Sequence, residues 1–333
     1  MPCFLLFTNV AASAIPKGFL SETTKIISKA IRKPESYITV RIHPGQMMTH
    51  GGTTEPCANS ELQAIGHISA EENIQMSKEI SEFLKSKLGI DNTSVPKIIL
   101  YQLGRGPRCP SLSPFAVKLE TYMRMAQLEY TNDHGGKYSS KGKIPWIKYN
   151  GEPVADSQFC VEYLNRKLNI DLSSHLTKEQ RAVAHSFRKT AEESLHWCII
   201  LTLMENMNIV KVSGFNALSV RLAVYKYRKQ TRVHGIGRHT NLEMLQIMEG
   251  DLRALSDYIG KKTFLFGDHP CEADAALFGQ LAQICWQSPG TKGEQLMHEK
   301  FTNLVEYCES MRAKFWPDWD DCITADGTKE ATK

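Results

Sequence analysis

The chain has 333 residues, 42% of them hydrophobic and 23% charged, with a formal net charge of +4 at pH 7. That length suits about two domains of ordinary size, and the apolar fraction is enough for a core in each. The weak, dispersed charge argues against a nucleic-acid surface, and no run approaches the ~18–20 apolar residues of a membrane span.

The greasiest run, residues 197–204 (WCIILTLM), is stopped by Glu205. The N-terminus has no basic region before its apolar stretch and no cleavage pattern of a signal peptide. Nine cysteines, an odd number without C-x-x-C spacing, argue against a disulfide framework and for a reducing compartment, by default the cytoplasm. The basic run Tyr225-Lys226-Tyr227-Arg228-Lys229 with Arg232 reads first as a solvated helix face, ahead of a phosphate or membrane patch.

In chain order, residues 2–9 (PCFLLFTN) form an apolar run of strand length. Residues 18–31 place Phe19, Leu20, Ile26, Ile27 and Ile31 near helical spacing, and Lys33-Pro34 ends that helix. Residues 37–42 (YITVRI) alternate as a strand, a Gly-rich stretch follows at His50-Gly51-Gly52, and 61–68 (ELQAIGHI) read as a further strand. Residues 70–88 form an amphipathic helix with Ile74, Ile80, Phe83, Leu84 and Leu88 on one side. Polar turn formers around Pro96 at 91–97 mark a boundary. Beyond it come a buried-type strand at 98–103 (IILYQL), a helix at 114–126, a strand at 144–148 (IPWIK) and a helix at 155–168. From Thr177 to about Phe315 the pattern is helical, and the polar tail 320–333 reads as disordered.

Pro2 directly follows the initiator Met. Removal of Met1 leaves a secondary amine, and an apolar pocket would keep it unprotonated and able to act as a general base. MPCFLLFTNV, Lys33-Pro34, YITVRI, Gly51-Gly52-Thr53-Thr54-Glu55-Pro56-Cys57-Ala58 and Ile65-Gly66 stand in order. Together they resemble the macrophage migration inhibitory factor family of tautomerases over residues 1–95. The resemblance implies paired βαβ repeats assembled as trimers, keto–enol tautomerisation of aromatic pyruvates, and cytokine roles with secretion that needs no signal peptide. It assigns Pro2 as catalytic base, Lys33 to the substrate carboxylate and Ile65 to backbone contact at the pocket. Two departures stand out. Ser60 occupies the second cysteine position of the family's C-x-x-C motif, which begins here at Cys57. The family's closing strand is missing after residue 95, and IILYQL cannot serve both sheets: either the first module borrows it, or the module stays one strand short with an open edge, which argues against the trimer though not against a homo-oligomer.

Residues 97–172 have the order of a thioredoxin-like domain and 177–319 that of a helical domain. Ser113-Pro114 opens a helix: a serine N-cap before proline at the first position, or a hydroxyl set to stabilise a thiolate at the helix's positive end. Ile144-Pro145 precedes a strand, and Asp156-Ser157 opens the next helix. The three features in this order resemble glutathione transferases. The resemblance implies that Ser113 faces the glutathione sulfur, that a cis peptide at Ile144-Pro145 exposes backbone to the tripeptide, and that Asp156 and Ser157 hold its γ-glutamyl end. Gly267 through Asp274 (GDHPCEAD) resembles the family's buried capping segment, in which Asp274 is structural.

Within that superfamily, PSLSPFAVKLETYMRMAQLEY, GKYSSKGKIPWIKYNGEPVADSQF, His234-Gly235-Ile236-Gly237-Arg238 and Phe315-Trp316-Pro317-Asp318-Trp319 resemble the failed axon connections family, relatives of metaxins. No ligand spacing supports a metal. The expected architecture is α/β plus all-α: a truncated tautomerase-like βαβ module, a thioredoxin-like domain and a transferase-like helical domain. Three functions follow from the resemblances. One is a phenylpyruvate tautomerase, with a small aromatic keto acid as partner. The second is an enzyme using glutathione as ligand or cosubstrate, with no other cofactor. The third is a non-catalytic binding protein built on the transferase fold.

Overall fold

A computed structural model describes residues 2–49, 54–64, 70–90, 97–205 and 217–333. The chain divides into two compact units, residues 1–96 and 97–333. The Gly-rich stretch at 50–53, Ile65-Gly66 and the boundary residues 91–96 lie outside the described set.

In the first unit β1 (Cys3–Thr8) alternates strictly, with Phe4, Leu6 and Thr8 buried and the intervening residues half-buried, as a strand with one covered face must. Helix α1 (Phe19–Ile31) buries Phe19, Thr23 and Ile27, one residue per turn along a single stripe. Arg32 ends α1 in the left-handed conformation, ahead of Pro34. Strand β2 (Thr39–His43) runs parallel to β1 with Cys3 opposite Thr39. Strand β3 (Ala58–Gln63) runs antiparallel on the other side, with Cys3 opposite Gln63. The strand expected at 61–68 thus begins three residues earlier. Its polar sequence ANSELQ follows from its place at a sheet edge, where pairing with β1 counts for more than apolar content. Helix α2 (Ala70–Leu88) contributes Phe83, Leu84 and Leu88 to a small core with Phe4, Leu6, Phe19, Ile27 and Ile90. The rings of Phe19 and Phe83 lie 5.2 Å apart. Among the described residues this sheet has three strands, in the order β2-β1-β3.

The second unit contains a four-stranded sheet ordered β5-β4-β6-β7. Strand β4 (Ile98–Tyr101) pairs in parallel with β5 (Tyr130–Asp133) and antiparallel with β6 (Trp146–Tyr149). Both its edges are therefore taken, and it cannot also close the first sheet. Helix α3 (Pro114–Met125) links β4 to β5. Strand β7 (Glu152–Ala155), absent from the sequence reading, pairs with β6 across Asn150-Gly151. Both turn residues have positive φ, 49° and 90°, as a two-residue hairpin loop requires. Helix α4 (Ser157–Leu168) completes the thioredoxin-like part.

Helix α5 (Lys178–Lys189) runs through a π-helical turn (Thr190–Leu195) into α6 (His196–Glu205). Then follow α7 (Ala217–His234), α8 (Asn241–Ile259), α9 (Glu272–Ala282), α10 (Lys292–Lys300) and α11 (Thr302–Phe315). Helix α9 is buried from Ala273 to Ala282. It passes so close to α3 that a Cβ on Gly279 would lie 2.4 Å from the Pro114 carbonyl oxygen. The sheet and the helices predicted as separate domains share one core, from Ile98 and Leu100 to Met311 and Trp316. In the His234–Arg238 segment, Gly235 (φ +113°) ends α7 and Ile236 is buried in that core.

The tail expected to be disordered is ordered. Trp319 and Cys322 are buried, and short 3-10 turns cover Trp319–Cys322 and Ala325–Gly327. The segment grips the loop before α3. Arg108 holds Asp326 through a fork of bonds at 2.8–3.0 Å, the Thr324 N–H donates to the Gly106 carbonyl at 3.0 Å, and Arg105 Nε donates to the Lys333 carbonyl at 2.8 Å. Most of its polar residues stay exposed while a few of them bind this loop.

Candidate functional site

Helix α3 starts at Ser113, whose carbonyl accepts the first helical bonds from Ala116 and Val117 at 3.0 and 3.1 Å. Its hydroxyl makes no capping bond. The cap role that a serine before Pro114 suggests is thus not exercised, and a half-buried hydroxyl remains at the positive end of the helix. The nearby Cys109 offers no alternative thiolate, since burial pushes its thiol well up.

The Ile144-Pro145 peptide is cis and enters β6. The adjoining Trp146 stacks on Tyr101 at 3.9 Å and donates its indole N–H to the Lys137 carbonyl at 2.8 Å. Asp156 caps α4: its Oδ1 accepts from the Gln158 and Phe159 N–H groups at 3.0 and 3.3 Å. It does so with φ +88° and ψ 129°, a conformation that costs a non-glycine residue of order 1–3 kcal/mol. Its second oxygen, and the hydroxyl of the buried Ser157, make no hydrogen bond with described residues.

A buried polar network fixes these two helix starts relative to each other. Lys118 Nζ on α3 lies 2.5 Å from Glu192 and donates to Gln158 of α4 at 2.7 Å. Burial lowers the Lys118 pKa and Glu192 opposes that shift. Arg188 holds the other Glu192 oxygen at 2.9 Å, and Gln158 and Asn165 both donate to Glu272 of α9, at 3.0 and 2.8 Å. A second network anchors the loop before Ser113. There Glu120, fully buried, accepts from Arg105 through two bonds of 2.8 and 2.9 Å and from Gln102 at 2.8 Å. Arg124 completes it, stacked 3.8 Å over the Trp316 ring and paired with Asp318. Burial would raise the Asp318 carboxyl, but the Arg124 guanidinium outweighs it and holds the pKa at about 2.

Sequence reasoning missed His196. Its ring lies 4.8 Å from Phe115, two residues beyond Ser113, and beside Gln280 of α9. Burial lowers its pKa to about 4, so the imidazole is neutral at pH 7. His196 Nδ1 and Gln280 Oε1 are buried without a hydrogen-bond partner among the described residues. No spacing signal connects position 196 to 113, because only the tertiary fold brings the His196 and Phe115 rings together. Asp274, by contrast, spends its oxygens inside the fold, accepting from Leu265 N–H, Cys271 N–H and the Tyr307 hydroxyl at 2.7–2.8 Å. Nothing of it is left to face a substrate.

In the first module Pro2 is buried, and its carbonyl accepts from the Thr39 N–H at 3.0 Å. Lys33 is half-buried in the loop entering β2, with its N–H on the Ser28 carbonyl and its carbonyl on the Ser28 hydroxyl. Because β1 and β2 are parallel and β3 antiparallel, Pro2, that loop and the end of β3 meet at one end of the sheet. Ile65 lies outside the described residues. The Cys57 turn is pinned by Asn9, whose Oδ1 accepts from the Cys57 N–H at 2.8 Å, while Ser60 sits opposite Leu6 in the ladder. Among the described residues no cluster of three His, Cys, Asp or Glu is placed to hold a metal, and no helix is long and apolar enough to cross a membrane.

Residues 1–102 match the macrophage migration inhibitory factor family. The rat protein of that name (Rattus norvegicus) is 42% identical over 90 residues, 27% of this chain and 78% of that protein. The first module belongs to the macrophage migration inhibitory factor family. The match extends over β4, although the structure gives that strand to the second sheet.

Residues 114–208 match the glutathione S-transferase N-terminal domain and 248–311 the C-terminal domain. Failed axon connections of Drosophila melanogaster is 34% identical over 263 residues, 72% of this chain; the chain spans 63% of that protein's length. An isoprene-epoxide glutathione S-transferase of Rhodococcus sp. (strain AD45) is 29% identical over 224 residues, 62% of this chain and 94% of that enzyme. The chain therefore joins a migration-inhibitory-factor module to a transferase-fold module of the failed axon connections type.

Proposed function

We propose that the second module binds glutathione between the starts of α3 and α4. The observation that carries this reading is the contrast between two helix starts. At Ser113 a hydroxyl is left uncommitted where a cap would use it. At Asp156 a costly backbone conformation keeps a carboxylate oxygen unengaged. In this reading Ser113 faces the sulfur and, with the helix dipole, favours the thiolate. The backbone at Ile144-Pro145 meets the cysteinyl unit, and Asp156 and Ser157 meet the γ-glutamyl ammonium and carboxylate. The relative named for an epoxide-conjugating transferase supports an electrophile as second substrate.

Titration calorimetry of the whole chain with millimolar glutathione tests it. Asp156→Asn keeps the Oδ1 caps and removes the charge, so binding should weaken by roughly 1.5–3 kcal/mol. No heat, or equal heats for both proteins, would favour the remaining reading, a non-catalytic scaffold for a protein partner.

A second reading concerns the first module, because the topology brings Pro2 and the Lys33 loop to one end of the sheet. With Met1 removed, the Pro2 amine would take the proton of an aromatic keto acid whose carboxylate is held by Lys33. Pro2→Gly should then slow phenylpyruvate enolisation by about 10²-fold or more, while Lys33→Ala should mainly raise KM. Equal rates for wild type and Pro2→Gly would exclude the site. All nine cysteines are unpaired and seven of them are buried, which fits a reducing cytoplasm. Because the outer edges of the first sheet are unpaired among the described residues, a homo-oligomer other than the family's trimer is the expected assembly.

A further inference from the structure

Helix α7 carries five cations, Arg221, Lys226, Arg228, Lys229 and Arg232, and no acidic residue. None of the five makes an ion pair with a described residue. At roughly 100° per residue, Val220, Val224, Tyr227 and Thr231 share one side, which packs inward at Val220 and Thr231, 5% and 1% exposed, and leaves Tyr227 38% exposed. The opposite side presents Leu218, Leu222, Tyr225 and Val233, exposed by 69%, 62%, 72% and 76%. These four are among eleven large apolar side chains that the described residues leave exposed, and they fall on a single stripe.

The cations are placed around that stripe. Lys229 lies within it, Arg221, Arg228 and Arg232 flank one side, and Lys226 flanks the other, 5.9 Å from the exposed Tyr138 ring. An apolar stripe bordered by unpaired cations is the pattern of a helix lying in a membrane interface, where aliphatic and tyrosine side chains enter the headgroup boundary and lysine and arginine stems reach lipid phosphates. A second copy of the same face is a poor occupant, since five cations would meet five. We propose that the outer face of α7 docks the chain on an anionic lipid surface.

Flotation of the full-length chain with lipid vesicles tests this. Binding is expected to vesicles of phosphatidylcholine with roughly one-third phosphatidylserine, absent with phosphatidylcholine alone, and weakened by high salt. Replacing Arg228, Lys229 and Arg232 by Gln should weaken binding by about 100-fold, from roughly fivefold per cation. All three side chains are exposed, so the fold should persist. Should that variant misfold, Leu218→Ser with Leu222→Ser is the alternative: it should lower binding at every salt concentration while leaving the salt dependence unchanged. Failure to float with anionic vesicles, equal binding to neutral vesicles, or unchanged binding by the soluble variants would overturn the proposal. Capture by an acidic protein without vesicle binding would overturn it as well.

Discussion

The two modules solve the same problem, covering an apolar sheet, with unequal means. In the second, β4 carries a hydrogen-bonded ladder on each side and buries Ile98 and Leu100 to 1% and 0% exposure. In the first, the outer edges of β2 and β3 are unpaired among the described residues, and eight buried residues make the core. By sequence, residues 98–101 fall within the migration inhibitory factor match, while the match to the transferase N-terminal domain begins only at residue 114. As a closing edge strand of the first sheet they would gain one ladder, and as the centre of the second they gain two ladders and two covered faces. The difference teaches that a strand either sheet could take goes to the sheet in which it is central, and that the other module then bears the exposed edge.

Separating the modules gives the largest expected effect. A fragment of residues 97–333 should unfold in one cooperative transition. A fragment of residues 1–96 should be molten or aggregate, because the sheet edges are unpaired among its described residues and its core is small. Sharp amide dispersion and a cooperative melt for 1–96 would break the comparison. Ending the longer fragment at 319 sharpens it: the contacts of Thr324, Asp326 and Lys333 with the loop at 105–108 are lost, so the melting temperature should fall below that of 97–333.

How far these features could be read in advance depended on whether they were local. The strand–helix order, the helix stop before Pro34 and the helix starts at 114 and 157 rest on neighbouring residues, and the structure places them within a few positions. The hairpin at Asn150-Gly151 was also local, but β7 is too short and polar (Glu152, Pro153) to register as a strand without its turn. The tail was misread because composition does not reveal partners: Asp326 meets Arg108 across 218 positions. His196 was missed for the same reason, since its place beside Phe115 is a product of helix packing alone. The positions of Pro2 and Lys33 at one end of the first sheet follow from strand direction, which the βαβ order already implies.

A pH scan yields an intermediate effect and separates the modules by a different route. His196 is held neutral by burial, with its pKa lowered from 6.5 to about 4. Above pH 6.5 the imidazole is neutral in both folded and unfolded chains and adds no pH dependence. As pH falls from 6.5 to 4 the unfolded chain takes up a proton that the folded chain refuses, so stability declines by at most about 3 kcal/mol and then levels off. The loss due to Asp318 comes later, as pH falls from 3.8 towards its folded pKa of about 2. Denaturant midpoints of fragment 97–333 between pH 7 and 4 should show the decline, and His196→Gln should flatten it. A slope unchanged in the variant would assign the effect to another group.

The smallest expected effect is the most discriminating for the site, because it compares two helix starts that look alike in sequence. A serine that caps its helix is worth about 1 kcal/mol over alanine. The Ser113 hydroxyl caps nothing, whereas Asp156 caps two N–H groups of α4. Urea unfolding of fragment 97–333 should therefore place Ser113→Ala within about 0.5 kcal/mol of wild type, the range of a surface change away from any special contact. Asp156→Ala should cost about 1 kcal/mol, the value of the lost cap. The functional consequences should run the other way for chemistry: Ser113→Ala should bind glutathione normally yet lose any conjugation, since the hydroxyl acts only on the thiolate. A Ser113→Ala cost equal to that of Asp156→Ala would make the serine an ordinary cap. The residue would then have a structural reason to be there, and the case for a thiol-activating hydroxyl at α3 would rest on resemblance alone.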